Sequence, residues 1–183
     1  MAIVLSADLE VSILNRALND QSPSNAVFHQ QRLAAGATPQ SWEAYAFQFG
    51  AGYQHLTTGA LALQITANLG LPQDVGLQGA LVSYLDAVGK ENVGIVAFQL
   101  GYALLGLEKA GGELAVYNAA AEAWSKEVAE AYVYSTNTAH GSPSPKGASA
   151  GAAGWSSAVE HHQPVDASAA VQLVGVDAGA LLA

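Results

Sequence analysis

Apolar residues recur at every third or fourth position along most of the first 136 residues, which is the period of an amphipathic α-helix. The clearest stripe runs from 114 to 132, and Glu122 and Lys126 lie four residues apart on its polar side. Shorter stretches of the same period are separated by turns rich in Gly and Pro. The pattern predicts a mainly α fold with about seven short helices. The 114–132 stripe contains Leu114, Tyr117, Ala121, Trp124, Val128 and Tyr132.

Local signals place several of the helix ends. Ser6 is a favourable N-cap for a first helix, with Asp8 and Glu10 in its first turn. Gly36 ends a second helix, and Thr38 followed by Pro39 begins a third. Further helices are predicted over about 53–69, 75–88 and 92–108.

The composition changes at about residue 137. From there to about 163 the chain is dominated by Gly, Ser, Ala and Pro, which is typical of a flexible linker. The last segment, 164–183, contains a short β-prone stretch. We therefore predict a helical domain over 1–136, a linker over 137–163 and a C-terminal tail over 164–183.

An internal repeat organises the helical domain. Residues 46–50 read AFQFG and residues 97–101 read AFQLG, an offset of 51. The helices predicted on either side follow the same order, so we predict two copies of one helical unit at about 10–52 and 61–103. Chance similarity in an alanine-rich chain is the alternative.

Each copy resembles a small helical module of bacterial exported proteins, which also occurs in the N-terminal regions of alphaproteobacterial S-layer proteins. Residues 68–77, NLGLPQDVGL, carry the resemblance in the second copy. The resemblance implies a protein without catalytic activity that binds cell-surface polysaccharide or assembles with itself.

The C-terminal tail is similar to the uncleaved signals that type I secretion machinery reads. This similarity implies a secreted or cell-surface protein with that machinery as a partner. An ordinary last strand is the alternative. The residues that carry the similarity are Val171, Leu173, Gly175, Val176, Leu181 and Leu182.

Charge and cysteine content narrow the classes of function. The chain has 6 Lys and Arg against 15 Asp and Glu, a formal charge of −9. No basic cluster is present, which argues against nucleic-acid binding. The absence of cysteine excludes disulfides, thiolate metal sites and thiol nucleophiles. No stretch is long and apolar enough to predict a membrane span.

The motifs of common enzymes are missing. No P-loop or His-Glu-x-x-His pattern occurs. Residues 147–151, GASAG, have the letters of a nucleophile elbow, but they stand in linker-like sequence without a preceding strand. We therefore predict a protein that is not an enzyme.

Two kinds of binding residue remain as candidates. Acidic residues near turns are candidate calcium ligands, and the adjacent pair His161 and His162 could hold haem or a transition metal. A secreted haem or metal carrier is thus the alternative function. Aromatic residues that are hard to bury are candidates for contacts with sugars or with another protein. The calcium candidates are Asp20, Asp74 and Asp86, and the aromatic candidates are Tyr134 and Trp155.

Overall fold

The computed structural model describes residues 6–147, and this part of the chain forms seven α-helices and no strand. The prediction of a mainly helical fold is confirmed there, whereas the β-prone segment lies outside the described residues. The helices are α1 (Ala7–Leu14), α2 (Asn25–Ala35), α3 (Pro39–Gly50), α4 (Thr58–Asn68), α5 (Val75–Val88), α6 (Val93–Leu105) and α7 (Asn118–Thr136).

Side-chain caps explain where several helices begin. The Ser6 hydroxyl accepts a hydrogen bond from the Leu9 amide at 3.2 Å. Thr38 and Ser41 form a reciprocal capping box at the start of α3, with Pro39 in the first helical position. Both N-terminal signals read from the sequence are therefore confirmed.

Two helix boundaries differ from those expected. The fourth helix was expected from about residue 53, but it begins at Thr58 because the Thr57 side chain accepts from the Ala60 amide at 3.2 Å and caps it. A 3₁₀ turn occupies Ala51–Tyr53 instead. Likewise, the first residues of the 114–132 stripe lie in a 3₁₀ segment, Gly112–Tyr117, and α7 follows it.

Helix α1 lies at the centre of the molecule. Residues 10–14 are all buried, and α1 packs against α2, α3, α6 and α7. Across the core, Trp124 of α7 is 1% exposed and its indole N–H donates to the Gly101 carbonyl of α6 at 2.7 Å. The longest helix is thus fixed to the centre by a buried aromatic side chain with a satisfied polar group.

Helices α3 and α6 cross at very close range. A Cβ atom on Gly50 would lie 2.5 Å from the backbone nitrogen of Gly94, and one on Gly94 would overlap the carbonyl oxygen of Ala46. Only glycine at both positions allows the two backbones to approach so closely.

The helix order of the first half recurs in the second. Helices α2 (Asn25–Ala35) and α5 (Val75–Val88) begin 50 residues apart, and α3 (Pro39–Gly50) and α6 (Val93–Leu105) begin 54 residues apart. The duplication itself stays a prediction.

The first part of the expected linker lies against the helical domain. The amide of Ser144 donates to the Ser22 carbonyl at 2.9 Å, and that of Gly147 donates to the Asp20 carbonyl at 3.0 Å. Nearby, the amide of Asn25 donates to the His140 carbonyl at 3.0 Å. Residues 137–147 therefore follow the turn between α1 and α2.

Candidate functional site

A π-helical segment continues α1 and ends in a left-handed turn. It covers Asn15–Asn19, and Asp20 follows with a φ of 53°. The carbonyls at its end accept hydrogen bonds from α4: Gln64 donates to Leu18 at 2.5 Å and Asn68 donates to Ala17 at 2.9 Å. Turns of π-helix are rare overall, and those that occur often lie at functional sites, so this end of α1 is a candidate functional site.

Arg16 is the central charge at this end of α1. Its side chain is only 3% exposed, and its guanidinium pairs with Asp20 at 2.8 Å and with Glu127 of α7. Burial of a charged group is tolerated when it is paired and hydrogen-bonded. The two carboxylates therefore hold the guanidinium in one position.

A cavity of about 390 Å³ opens beside these ion pairs. It lies between the π-helical segment, the C-terminal end of α4 and the middle of α7, and Gly147 closes one side. The side chains that determine its chemistry are Arg16, Asp20, Lys126, Glu127 and Glu130.

The carboxyl groups on one side of the cavity lie close enough together to raise the pKa of one of them. Burial raises the pKa of the Glu127 carboxyl, and the negative charges of Asp20 and Glu130 add to that effect, while Arg16 opposes it by a hydrogen bond and by its charge. Glu130 is itself only 5% exposed. Glu127, whose side chain is 28% exposed, and the more deeply buried Glu130 thus stand near each other on one turn of α7.

The three candidate calcium ligands occupy different settings. Asp20 pairs with Arg16, Asp74 caps α5 by accepting from the Leu77 amide at 2.9 Å, and Asp86 is exposed on α5. Within residues 6–147, no group of three or more His, Asp or Glu side chains is placed to hold a metal ion. The structure therefore does not bring these three aspartates together as one site.

Of the two aromatic candidates, one is described. Tyr134 stacks on His140 with ring centroids 3.8 Å apart, and its hydroxyl donates to the Ser142 carbonyl at 3.0 Å. It is therefore engaged within the chain, holding 137–147 to α7. The candidates that lie outside the described residues are Trp155, His161, His162 and the secretion-tail residues Val171, Leu173, Gly175, Val176, Leu181 and Leu182.

Sequence reasoning missed a buried acid in the core. Glu10 is 0% exposed, and neither carboxyl oxygen has a hydrogen-bond partner. Burial raises its pKa to about 8, and its charge contributes to the raised pKa of Tyr45, whose buried hydroxyl is also unpartnered. The signal in the sequence was the spacing, because Glu10 shares a helical face with Ile13, Leu14 and Ala17.

The outer side of the α4–α5 hairpin is apolar and uncharged. Leu63 is 52% exposed and Val75 is 84% exposed. The sequence has no Asp, Glu, Lys or Arg from 44 to 73 or from 75 to 85. We call this region the α4–α5 surface, and its exposed residues are Gly59, Ala60, Leu63, Ala67, Val75, Gly79 and Ser83.

Two negative findings concern membrane-spanning helices and similarity to known proteins. Among the described residues, no helix combines the length and the apolar character needed to cross a bilayer. No family model, curated protein or solved structure matches the chain.

Proposed function

We propose that this chain is a non-catalytic, exported helical protein that assembles with copies of itself at the cell surface, and that the α4–α5 surface is the contact. The observation that carries the proposal is the exposed, uncharged and glycine-containing outer side of this hairpin. Exposed apolar regions of this kind commonly mark protein interaction sites.

Gly79 supplies the most specific support. It lies in the interior of α5, and a Cβ atom added there would meet nothing within 4 Å. Glycine inside a helix costs roughly 0.5–1 kcal/mol relative to alanine. No contact within the described chain accounts for that cost. A second helix that approaches α5 closely would account for it, as small residues do at tightly packed helix contacts.

Charge distribution gives the second argument. The chain carries a net charge of −9, so copies of it repel one another over most of their surfaces. No charged residue lies between Asp74 and Asp86, so this part of the α4–α5 surface lacks that repulsion. The two aspartates stand at the margins of the surface. Calcium would assist association by screening or bridging acidic groups, and we keep it as a candidate cofactor.

The exported location and the cell-surface polysaccharide belong to the same proposal. Export rests on the resemblance of the C-terminal tail to type I secretion signals, and polysaccharide binding rests on the resemblance to S-layer modules. Self-association is the part that the described residues support.

We expect Gly79→Gln to abolish assembly while leaving the monomer folded. The glutamine side chain would occupy the space that a partner helix needs, whereas glutamine is a better helix former than glycine. Light scattering and negative-stain microscopy of the full chain, with calcium and then with a chelator, measure the effect. Wild-type protein should form large particles under at least one condition.

Ala44→Gln is the matched control, because Ala44 is exposed on α3, a helix that packs mainly against α1, α2 and α6 and not against α4 or α5. It should assemble as the wild type does. Equal loss of particles in both variants would contradict the proposed contact. A wild-type chain that stays monomeric with and without calcium would contradict self-assembly altogether.

A further inference from the structure

Residues 140–147 lie on the helical domain without burying an apolar side chain. They read HGSPSPKG, and Ser144, which is 2% exposed, is the one residue among these eight that is buried. We call residues 140–147 the latch. Because hydrophobic burial is the main term that holds a segment to a domain, the latch depends on polar contacts instead.

The middle and the end of the latch are bound to the turn between α1 and α2. The Ser144 hydroxyl accepts from the Ser22 amide at 2.7 Å, and the Ser144 amide donates to the Ser22 carbonyl at 2.9 Å. The Gly147 amide donates to the Asp20 carbonyl at 3.0 Å. These hydrogen bonds join residues more than a hundred positions apart, so they alone keep this part of the latch in place.

The start of the latch is bound to α7 and α2. The His140 ring stacks on Tyr134, with ring centroids 3.8 Å apart, and the His140 carbonyl accepts from the Asn25 amide at 3.0 Å. The latch is thus attached along its length by a ring stack and by hydrogen bonds.

Attachments of this kind give way more readily than packed helices do. A hydrogen bond to the protein is exchanged for one to water on release, so its net contribution is small, and a released segment regains conformational entropy. Segments with few buried apolar contacts therefore open locally at a lower free energy than the whole domain unfolds.

The end of the latch closes one side of the cavity beside Arg16. Gly147 lines that cavity, and its hydrogen-bond partner Asp20 forms an ion pair with Arg16 at 2.8 Å. The Arg16 side chain is only 3% exposed while the latch is in place. Release of Gly147 would remove this wall and admit solvent to the ion pair.

We propose that the latch opens as one unit while helices α1 to α7 stay folded, and that its release widens the cavity beside Arg16. The latch is a conformational device that controls access to this cavity. It is separate from the α4–α5 surface, and its opening does not depend on assembly.

Hydrogen exchange of the full chain, measured amide by amide by NMR in dilute urea, tests this proposal. After correction for intrinsic rates, we expect the amides of Ser22, Asn25 and Gly147 to share one opening constant. That constant should be at least about 100-fold larger than the one for the Leu14 amide in α1. Dilute urea should raise the opening constant of Leu14 only, because local opening exposes little surface.

Ser144→Ala tests whether the latch is one unit. Ser144 forms its hydrogen bonds with Ser22 alone, so the substitution removes no partner of Asn25 or Gly147. We nevertheless expect the amides of Asn25 and Gly147 to exchange about tenfold faster, with Leu14 unchanged within about twofold. Ser142→Ala, at an exposed serine of the latch, is the matched control and should leave these rates unchanged.

Several outcomes of the exchange measurements would overturn the proposal. If Gly147 and Leu14 shared one opening constant and one urea dependence, the latch would open only when the domain unfolds. An unprotected Gly147 amide would show that the latch does not close the cavity. In Ser144→Ala, faster exchange at Ser22 alone would contradict opening as one unit, and equal acceleration at Leu14 would contradict a separate latch. The measurements on the wild type decide the first two points without any variant.

Discussion

Replacing Gly94 with alanine should lower the free energy of unfolding by at least about 3 kcal/mol, a large effect for a single methyl group. The added Cβ would overlap the Ala46 carbonyl oxygen and stand 2.8 Å from the Gly50 nitrogen. Backbone atoms cannot rotate away as a flexible side chain can. Helices α3 and α6 would have to separate, which would open the core on both sides of their crossing.

Gly79→Ala is the matched control for this substitution. It makes the same chemical change in the interior of a helix, but it meets open space. We expect it to raise stability by roughly 0.5–1 kcal/mol. Urea unfolding at low protein concentration measures both variants. Similar effects of the two substitutions would contradict the close contact between α3 and α6.

The stability of the wild-type chain should fall as the pH rises through Glu10's titration. The unfolded carboxyl has a pKa near 4.5, and the buried one has a pKa of about 8. The folded state therefore holds its proton where the unfolded state releases it. The full stability is present below about pH 4.5 and is lost progressively as the pH rises through 8, by on the order of 3–5 kcal/mol.

Glu10→Gln should remove most of this pH dependence, because the amide has no proton to lose. The variant should be more stable than the wild type at pH 9 and similar to it at pH 5. Chemical unfolding at a series of pH values measures both proteins, and Glu43→Gln is the exposed control. A pH dependence that persists unchanged in Glu10→Gln would show that another group carries it.

Local features of the fold could be predicted from the sequence. The period of the apolar residues identified the helices. The side-chain caps at Ser6 and Thr38 act over only three residues, so the spacing of neighbouring residues was sufficient to predict where α1 and α3 begin. The boundary at Thr58 was missed because the capping threonine at 57 follows a 3₁₀ turn that continues the apolar pattern.

The candidate cavity could not be predicted in the same way. The ion pair of Arg16 with Glu127 joins residues 111 positions apart, and no local pattern encodes such a contact. The π-helical segment also lacks a spacing signal of its own. Glu10 stands in the first turn of α1 as expected, and tertiary packing buries it as well.

The most direct test of self-assembly uses the absence of cysteine from the chain. A nitroxide label on Ser83→Cys, within the α4–α5 surface, reports whether two copies meet there, and the same label on Ala44→Cys is the control. We expect dipolar coupling between chains to broaden the spectrum of the label at 83 strongly, and we expect this broadening to disappear on dilution with unlabelled protein. The label at 44 should show no such broadening. Assembled protein without broadening at position 83 would contradict the proposed contact.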